Sequence, residues 1–480
     1  MVLLTVVAGV VWVGGVASRA DVQNEIVSRL ESRGADVYLR THQGSALIAG
    51  ILGKDAYSLV EEVKFAPDDQ VSDEDIVQLT RLTSIEGISA HSDQISDQSL
   101  ENLRYLPHLH TLSLHSDRIT DKGWQRLSSL NALKSLSAGG AEFNDNALQG
   151  VSTLEGLEWL SLSDANISLS GLKQLSTLPL LDSLGITGSP QCGGLSIAAA
   201  LPNLNCLYLE GVPLSGGDSV SNIGHSELWV LDIRDARVSE NEFRLLSTLP
   251  GLVYLSFWNC ELHGDCLQHL VRLNRVETLE LGHCRFDTAS LRHLSQLKRL
   301  SKLNLSDSPL TDNDMIHLSP LTRLRNLDLQ RTRVSDKGLK HLSQHKSLSR
   351  LILNETAVEG YGFSELAGLD ELTDLELNHC AISDEGVASL PLLKGLTWLE
   401  LTDTQITDKS LEHLVRLDKL SHISLNGTRI SEEGYLTIKR QSANRDAPSN
   451  SRQALMTELD SLFPEARVLN TNSEVTDKVW

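Results

Sequence analysis

Three groups of side chains in this sequence have types and spacings that could do chemistry. The first is the cysteines: Cys192, Cys206, Cys260, Cys266, Cys284 and Cys380. Paired at CxxC spacing they would hold zinc or exchange disulfides, but no CxxC occurs. The second is a row of histidines, each followed by leucine: His269, His293, His317, His341 and, after two gaps, His413. Equally spaced imidazoles suggest a metal ladder. Zinc, however, needs its nitrogens about 2.0–2.1 Å from one centre. Packed helices lie about 8–10 Å apart, so copied surface residues are the expectation. The third group is carboxylates. Asp232, Glu280, Asp328 and Glu376 recur at a constant interval. Calcium ligands sit about 2.3–2.6 Å from the ion, so only Glu376, Glu400 and Asp403 are placed closely enough to be tested as a set. No glycine-rich phosphate loop, GxSxG elbow or HExxH helix occurs. The expectation is therefore no enzyme, no cofactor and no metal.

The elements that carry these residues are read by sliding the chain against itself. "LTDTQITDKSLEHLVRLDKLSHISL" (401–425) matches "LDLQRTRVSDKGLKHLSQHKSLSRLIL" (327–353) and "LSLHSDRITDKGWQRLSSLNALKSL" (112–136). The first apolar residue of each LxL gives Leu112, Leu136, Leu160, Leu184, Leu207, Leu231, Leu255, Leu279, Leu303, Leu327, Leu351, Leu375, Leu399 and Ile423. Every step is 24 residues except Leu184 to Leu207, which is 23. Weaker copies begin at Val63 and Ile88. A fixed period of this size headed by LxxLxL is the signature of leucine-rich repeats.

In each repeat LxL predicts a short strand whose alternate side chains point inward. Leu399 and Leu401 face the core, and Trp398, Glu400 and Thr402 face out. Five residues after the marker stands a small residue, such as Cys260, Cys284, Ser308, Thr332, Thr356, Cys380, Thr404 or Thr428. A turn with little room is expected there, which accounts for three cysteines as buried free thiols. Thr407-Asp408, Ser335-Asp336, Ser383-Asp384 and Thr120-Asp121 are N-cap types. Leu411, Leu414 and Leu417 then predict the inner stripe of a short helix. One unit cannot bury its leucines alone, and stacking buries them against the next. The predicted fold is an α/β leucine-rich repeat solenoid, a right-handed horseshoe with parallel strands on the concave face and short helices on the convex face. The chain is 40% hydrophobic but only 4% aromatic, so its core must be aliphatic, as such a solenoid requires.

Residues 61–440 form the predicted array. Residues 20–60 read as an N-terminal cap: a helix bearing Val22, Ile26 and Leu30, a stop at Gly34, a strand, and a second helix leading into Val63. Residues 441–480 read as a loop, centred on the polar stretch 440–453, and a degenerate last repeat: a helix broken at Pro464 and a strand near Val468. Residues 1–17 carry no charge. Residues 1–19 are therefore expected to be a transmembrane anchor or signal segment, placing the repeats outside the cytoplasm on a single-pass protein or, alternatively, a secreted one.

The outward positions of the expected concave face form four columns: the residue before each marker, and those one, three and four after it. Across the fourteen clear repeats they hold twelve acids (Asp374; Asp232, Glu280, Asp328, Glu376, Glu400; Glu210; Asp164, Asp235, Asp307, Glu355, Asp403) and four bases (Lys302, Arg350, Arg234, Arg331). That ratio exceeds the 63 acids to 42 bases of the whole chain. Nucleic-acid binding is disfavoured, and a basic protein partner would be steered to this face. Tyr208, Tyr254 and Trp258 cluster on it, with Asp232, Arg234, Glu280 and His283 around them. Tyr, Trp and Arg dominate binding hot spots, so these seven residues are the expected partner-binding set.

The layout resembles a group of bacterial leucine-rich repeat proteins: an N-terminal hydrophobic segment, a short cap, then repeats such as "LDLQRTRVSDKGLKHLSQHKSL" and "LELTDTQITDKSLEHLVRLDKL". That resemblance implies a binding scaffold with no assigned activity. Cysteine in the turn, at Cys260, Cys284 and Cys380, is also similar to the cysteine-containing repeats of ubiquitin-ligase adaptors, which implies an alternative role as an intracellular substrate adaptor. Those adaptors carry an F-box ahead of the repeats, and none is legible in the segment before residue 60.

Overall fold

The computed structural model describes residues 21–41, 58–66, 69–214, 223, 227–443 and 450–462. The chain forms two compact units, Met1–Leu228 and Trp229–Trp480. The expected membrane or signal segment lies outside the described residues, as do Pro464 and Val468. Among the described residues no helix is long and apolar enough to cross a membrane.

In the first unit a helix over 21–31 buries Ile26 and Leu30. It stops at Gly34, whose φ of 95° lies in the left-handed region that favours glycine. Strand β1 (Asp36–Thr41) then pairs antiparallel with β2 (Ser58–Lys64). The sequence placed a helix up to Val63. The strand instead begins at Ser58, because β1 supplies an antiparallel partner along its length. The rest of that expected helix lies outside the described residues. From β2 onward the strands are parallel and one repeat apart, Val63 pairing in register with Ile88, and so on through Leu112, Leu136, Leu160 and Leu184 to Leu207.

The second unit repeats the arrangement. Leu231 pairs with Leu255, Leu255 with Leu279, and the series continues without a slip through Leu303, Leu327, Leu351, Leu375 and Leu399 to Ile423. The marker leucines are fully or almost fully buried. Both units are thus α/β leucine-rich repeat structures of parallel strands and short helices.

From Cys260 onward the small residue five after each marker has two chemical solutions. A hydroxyl donates to the carbonyl three residues back, as Thr332 Oγ1 does to Leu329 at 2.7 Å and Ser308 Oγ to Leu305 at 2.6 Å. A thiol reaches instead into the preceding repeat: Cys284 Sγ to Phe257 O at 3.3 Å, and Cys380 Sγ to Leu353 O at 3.0 Å. All six cysteines are free and buried. Burial pushes the Cys266 thiol up to about 12.

The helical segments differ from expectation. Instead of one helix from Asp408 to Leu417 there is a 3-10 turn, Asp408–Ser410, then an α-turn, Leu411–Leu414. Elsewhere the whole segment is 3-10, as in Cys266–Arg272 and Thr288–Gln296. The physical reason is the leucine spacing itself. Apolar residues every third position align on a helix of three residues per turn.

Serine and threonine do cap these segments. Ser96, Ser335 and Thr407 accept from the backbone N–H two residues on. The aspartate that follows does something else: it clamps the next repeat. Asp97 accepts from Thr120 N–H and Oγ1, both at 2.8 Å, and Asp312 from Ser335 N–H at 2.7 Å and Oγ at 2.6 Å. Asp384 and Asp408 do the same to Thr407 and Ser431. The clamp explains the glycine three residues after the cap. A Cβ on Gly123 would meet Asp97 Oδ1 at 2.2 Å, and one on Gly434 would meet Asp408 Oδ1 at 2.1 Å. Where serine stands there, as at Ser99, its hydroxyl donates to the same carboxylate, that of Asp73, at 2.6 Å.

The last described elements of the second unit are helices Glu432–Ala443 and Asn450–Leu462. Residues 440–443 and 450–453, expected in a loop, are helical because the terminal helix packs back on the last strand. It buries Leu455 and Leu459, and Tyr435 Oη bonds Asp460.

Candidate functional site

The strand register sets the four columns side by side. The column four after each marker is a turn position as well as a surface position. Asp164, Asp235, Asn259, His283, Asp307, Arg331, Glu355, His379 and Asp403 all have φ between 51° and 58°. Glycine, Asn and Asp tolerate this left-handed region best, and Gly188, Gly211 and Gly427 occupy it elsewhere. Part of the acid surplus counted from sequence is therefore turn chemistry.

The seven expected partner-binding residues divide between the units. Tyr208 lies on strand Cys206–Glu210 of the first unit and is 39% exposed. Asp232, Arg234, Tyr254, Trp258, Glu280 and His283 lie in the second unit, on or directly after three adjacent strands. Trp258 is 37% exposed and packs against His283, with ring centroids 4.5 Å apart. His283 Nε2 lies 3.2 Å from Asp307 Oδ2. The indole lies over Gly282, just past the end of the next strand, where an added Cβ would meet Trp258 Cζ3 at 2.4 Å. Sequence reasoning missed Gly282. Its signal was a glycine directly after Trp258 in the same column, where the only other glycine is Gly139.

Asp232 and Glu280 were expected to face solvent, yet they are only 4% and 7% exposed. Longer side chains pair with them, Arg234 from the same strand and Lys302 from the next strand about 4.8 Å away. Arg234 donates to Asp232 Oδ2 from Nε at 3.1 Å and Nη2 at 2.9 Å, and Lys302 Nζ meets Glu280 Oε1 at 2.9 Å. Asp232 Oδ1 is buried without a hydrogen-bond partner. Burial first, then the Glu280 and Asp232 carboxylates, push the half-buried Tyr254 hydroxyl above its ordinary value.

The remaining bases of the face are also paired. Arg331 bonds Glu355 at 2.8 Å, and Arg350 bonds Glu376 at 2.5 Å. In the second unit the columns hold ten acids to four bases, so carboxylates remain in excess. Asp328 is one of them. Burial first, then Glu376 and Glu280, push its carboxyl above the ordinary value, although Gln330 N–H donates to its Oδ1 at 2.9 Å. Farther along, the Trp398 ring stacks on His422 at 3.6 Å, and its Nε1 donates to Glu400 at 2.9 Å.

The other chemical candidates resolve into pairs. His269 sits 3.1 Å from Glu240, and His293 sits 3.0 Å from Asp265. These two histidines thus meet a carboxylate of the preceding repeat, whereas His413 Nε2 lies 3.5 Å from Glu412 on its own helix. Glu376, Glu400 and Asp403 are met by Arg350, His422 and His379 respectively. Among the described residues no three His, Cys, Asp or Glu side chains gather as a metal site. One histidine escaped the sequence reading. His345 takes the place of a leucine and is fully buried.

The Leucine Rich repeat family model matches residues 372–390. No curated protein matches the sequence. Among solved structures the chain is similar to an internalin, InlF, of Listeria monocytogenes, at 24% identity and a TM-score of 0.46, over 68% of this chain and 88% of that one. It is similar to a leucine-rich repeat protein of Leptospira interrogans at 17% identity and a TM-score of 0.48, over 79% and 95%. It is also similar to the plant peptide hormone receptor RGFR1, solved in complex with RGF2, at 14% identity and a TM-score of 0.34, over 74% and 68%. The family match falls inside an array whose markers pair strand by strand within each unit, and the chain is accordingly a leucine-rich repeat protein.

Proposed function

We propose that this protein is a non-enzymatic recognition scaffold that binds a basic protein partner through the strand face of its second unit. The observation that carries this reading is Trp258. In a chain with 4% aromatic residues, its indole lies open across Gly282, against His283 and beside an excess of carboxylates. Aromatic anchors of this kind dominate binding energy, and the surplus charge speeds the approach of a cationic surface. Asp232, Arg234, Tyr254 and Glu280 complete the patch.

Trp258→Ala tests the reading in a pull-down from the native source. Capture of the partner is expected to weaken at least tenfold, while the melting temperature moves by no more than a degree or two. Gly282→Val, which obstructs the indole without removing it, is expected to act in the same direction. Unchanged capture in both variants removes the patch as the contact surface.

The proposal also places the protein at a membrane or outside the cell, through the uncharged residues 1–17. Cell fractionation with added protease checks this. Repeats in the membrane fraction or medium, digested from outside, support it. A soluble, protease-protected protein overturns it.

A further inference from the structure

We infer that the partner segment taken by this face is an extended, polyproline-like stretch with Lys or Arg at every third residue, its cations meeting Asp232, Glu280, Asp328 and Glu376. This rests on the recognition reading above and specifies its ligand.

The argument begins with register. Asp232 is level with Ser256, Ser256 with Glu280, Glu280 with Asn304, Asn304 with Asp328, Asp328 with Ile352, and Ile352 with Glu376. A carboxylate therefore stands on every second strand, with uncharged residues between. Strands lie about 4.8 Å apart, so the carboxylates repeat at about 9.6 Å. A polyproline helix has three residues per turn and rises about 3.1 Å per residue, so one of its faces repeats at about 9.3 Å. Over the three steps of the row the mismatch accumulates to about 0.9 Å, within reach of a lysine stem. A β-strand repeats one face at about 6.6–6.8 Å and falls out of step at once. An α-helix at every seventh residue rises about 10.5 Å and is the nearest competitor.

A second observation points to a cationic ligand. Asp232 is 96% buried (4% exposed), and its Oδ1 has no hydrogen-bond partner. A buried carboxylate oxygen without a donor is costly, and a Lys or Arg head supplies one. Arg234, which bonds the other oxygen, has a side chain 51% exposed. Lys302 and Arg350, bonded to Glu280 and Glu376, are similarly exposed at 51% and 49%. At the middle of the row, no ion pair reaches Asp328 among the described residues. Tyr254 and Trp258 stand on the strand between the first two carboxylates, Tyr254 level with Val230 and Trp258 with Arg234. Aromatic side chains are the usual seats for polyproline segments, which favours that conformation over a helix.

Fluorescence anisotropy with the full chain and labelled peptides tests this. Four-lysine peptides in a Pro/Ala background carry lysine at every third residue, at every second residue, or scrambled, and a helical peptide carries it at every seventh. The third-residue peptide is expected to bind at least tenfold more tightly than its isomers. That advantage is expected to vanish in Asp328→Asn/Glu376→Gln and to persist in Glu385→Gln, a charge change off this face. Affinities equal within twofold, or preference for the helical peptide, overturn the inference. If Trp258→Ala still abolishes partner capture in that case, the recognition reading stands and only the ligand assignment falls.

Discussion

Glu458 Oε1 accepts the Leu425 amide at 2.9 Å, the position that the next strand's carbonyl fills elsewhere in the array. Leu353 N–H goes to Glu376 O, Leu377 N–H to Glu400 O and Leu401 N–H to Ser424 O. At the last described strand a carboxylate on helix Asn450–Leu462 takes that place. An open strand edge is a template for unwanted pairing, and this contact helps close it.

Removal of that carboxylate should therefore loosen the end first. A hydrogen bond to a charged group contributes about 1.5–3 kcal/mol. Glu458→Ala is expected to speed hydrogen exchange at Leu425 at least tenfold and to leave Leu329 and Leu353 unchanged. Uniform acceleration along the second unit, or none, would show that the cap is held by Leu455 and Leu459 alone.

His345 replaces a core leucine at a cost that pH should reveal. Its Nδ1 lies 3.2 Å from Leu342 O, and its Nε2 lies 3.1 Å from Leu318 O. A neutral ring has one N–H, so one nitrogen faces a carbonyl it cannot serve. Burial holds the pKa below its ordinary value, against the upward pull of the Leu342 and Leu318 carbonyls. Because the folded pKa is lower than the unfolded value of about 6.5, the unfolded chain takes up the proton first. Stability is complete above about pH 6.5 and is lost as pH falls toward the folded pKa. His345→Leu is expected to raise the urea midpoint at pH 7 and to flatten its decline between pH 7 and 5. An unchanged pH slope would remove His345 as the source.

The aspartate clamps should respond at lower pH. At Asp384 burial raises the pKa, but Ser410, Thr407 and the Thr407 N–H outweigh it and hold the carboxyl below its ordinary value. The same balance, with Ser96 and Ser99, holds for Asp73. The folded pKa is depressed, so the contribution is present above about pH 3.9 and is lost as pH falls through the folded value. Asp384→Ala is expected to be less stable than the parent at pH 7 and to lose less on going from pH 4 to 2. Parallel acid-unfolding curves would contradict this.

Much of the fold was legible because its contacts recur. Leu231, Leu255 and Leu279 lie one period apart in sequence and one strand apart in space, so comparing the chain with itself reveals both. The period-three leucines were visible too, although they specify 3-10 turns where an α-helix was expected. The acid count on the strand face was only half legible. Asp235, Asp307 and Asp403 stand where the chain needs a left-handed residue, and a tally of charge does not separate that need from recognition.

By itself the sequence determined the repeat period, the strand register, the inward leucines and the small turn residues. Each of these is a nearest-neighbour requirement restated in every unit. Only the tertiary structure decided that Asp232 and Glu280 are buried under neighbouring side chains, that Trp258 lies across Gly282, that His345 sits among carbonyls, and that Glu458 completes the last strand. Those contacts occur once. They depend on which long side chain lies over which short one across a gap of about 4.8 Å, and nothing periodic in the chain encodes that choice.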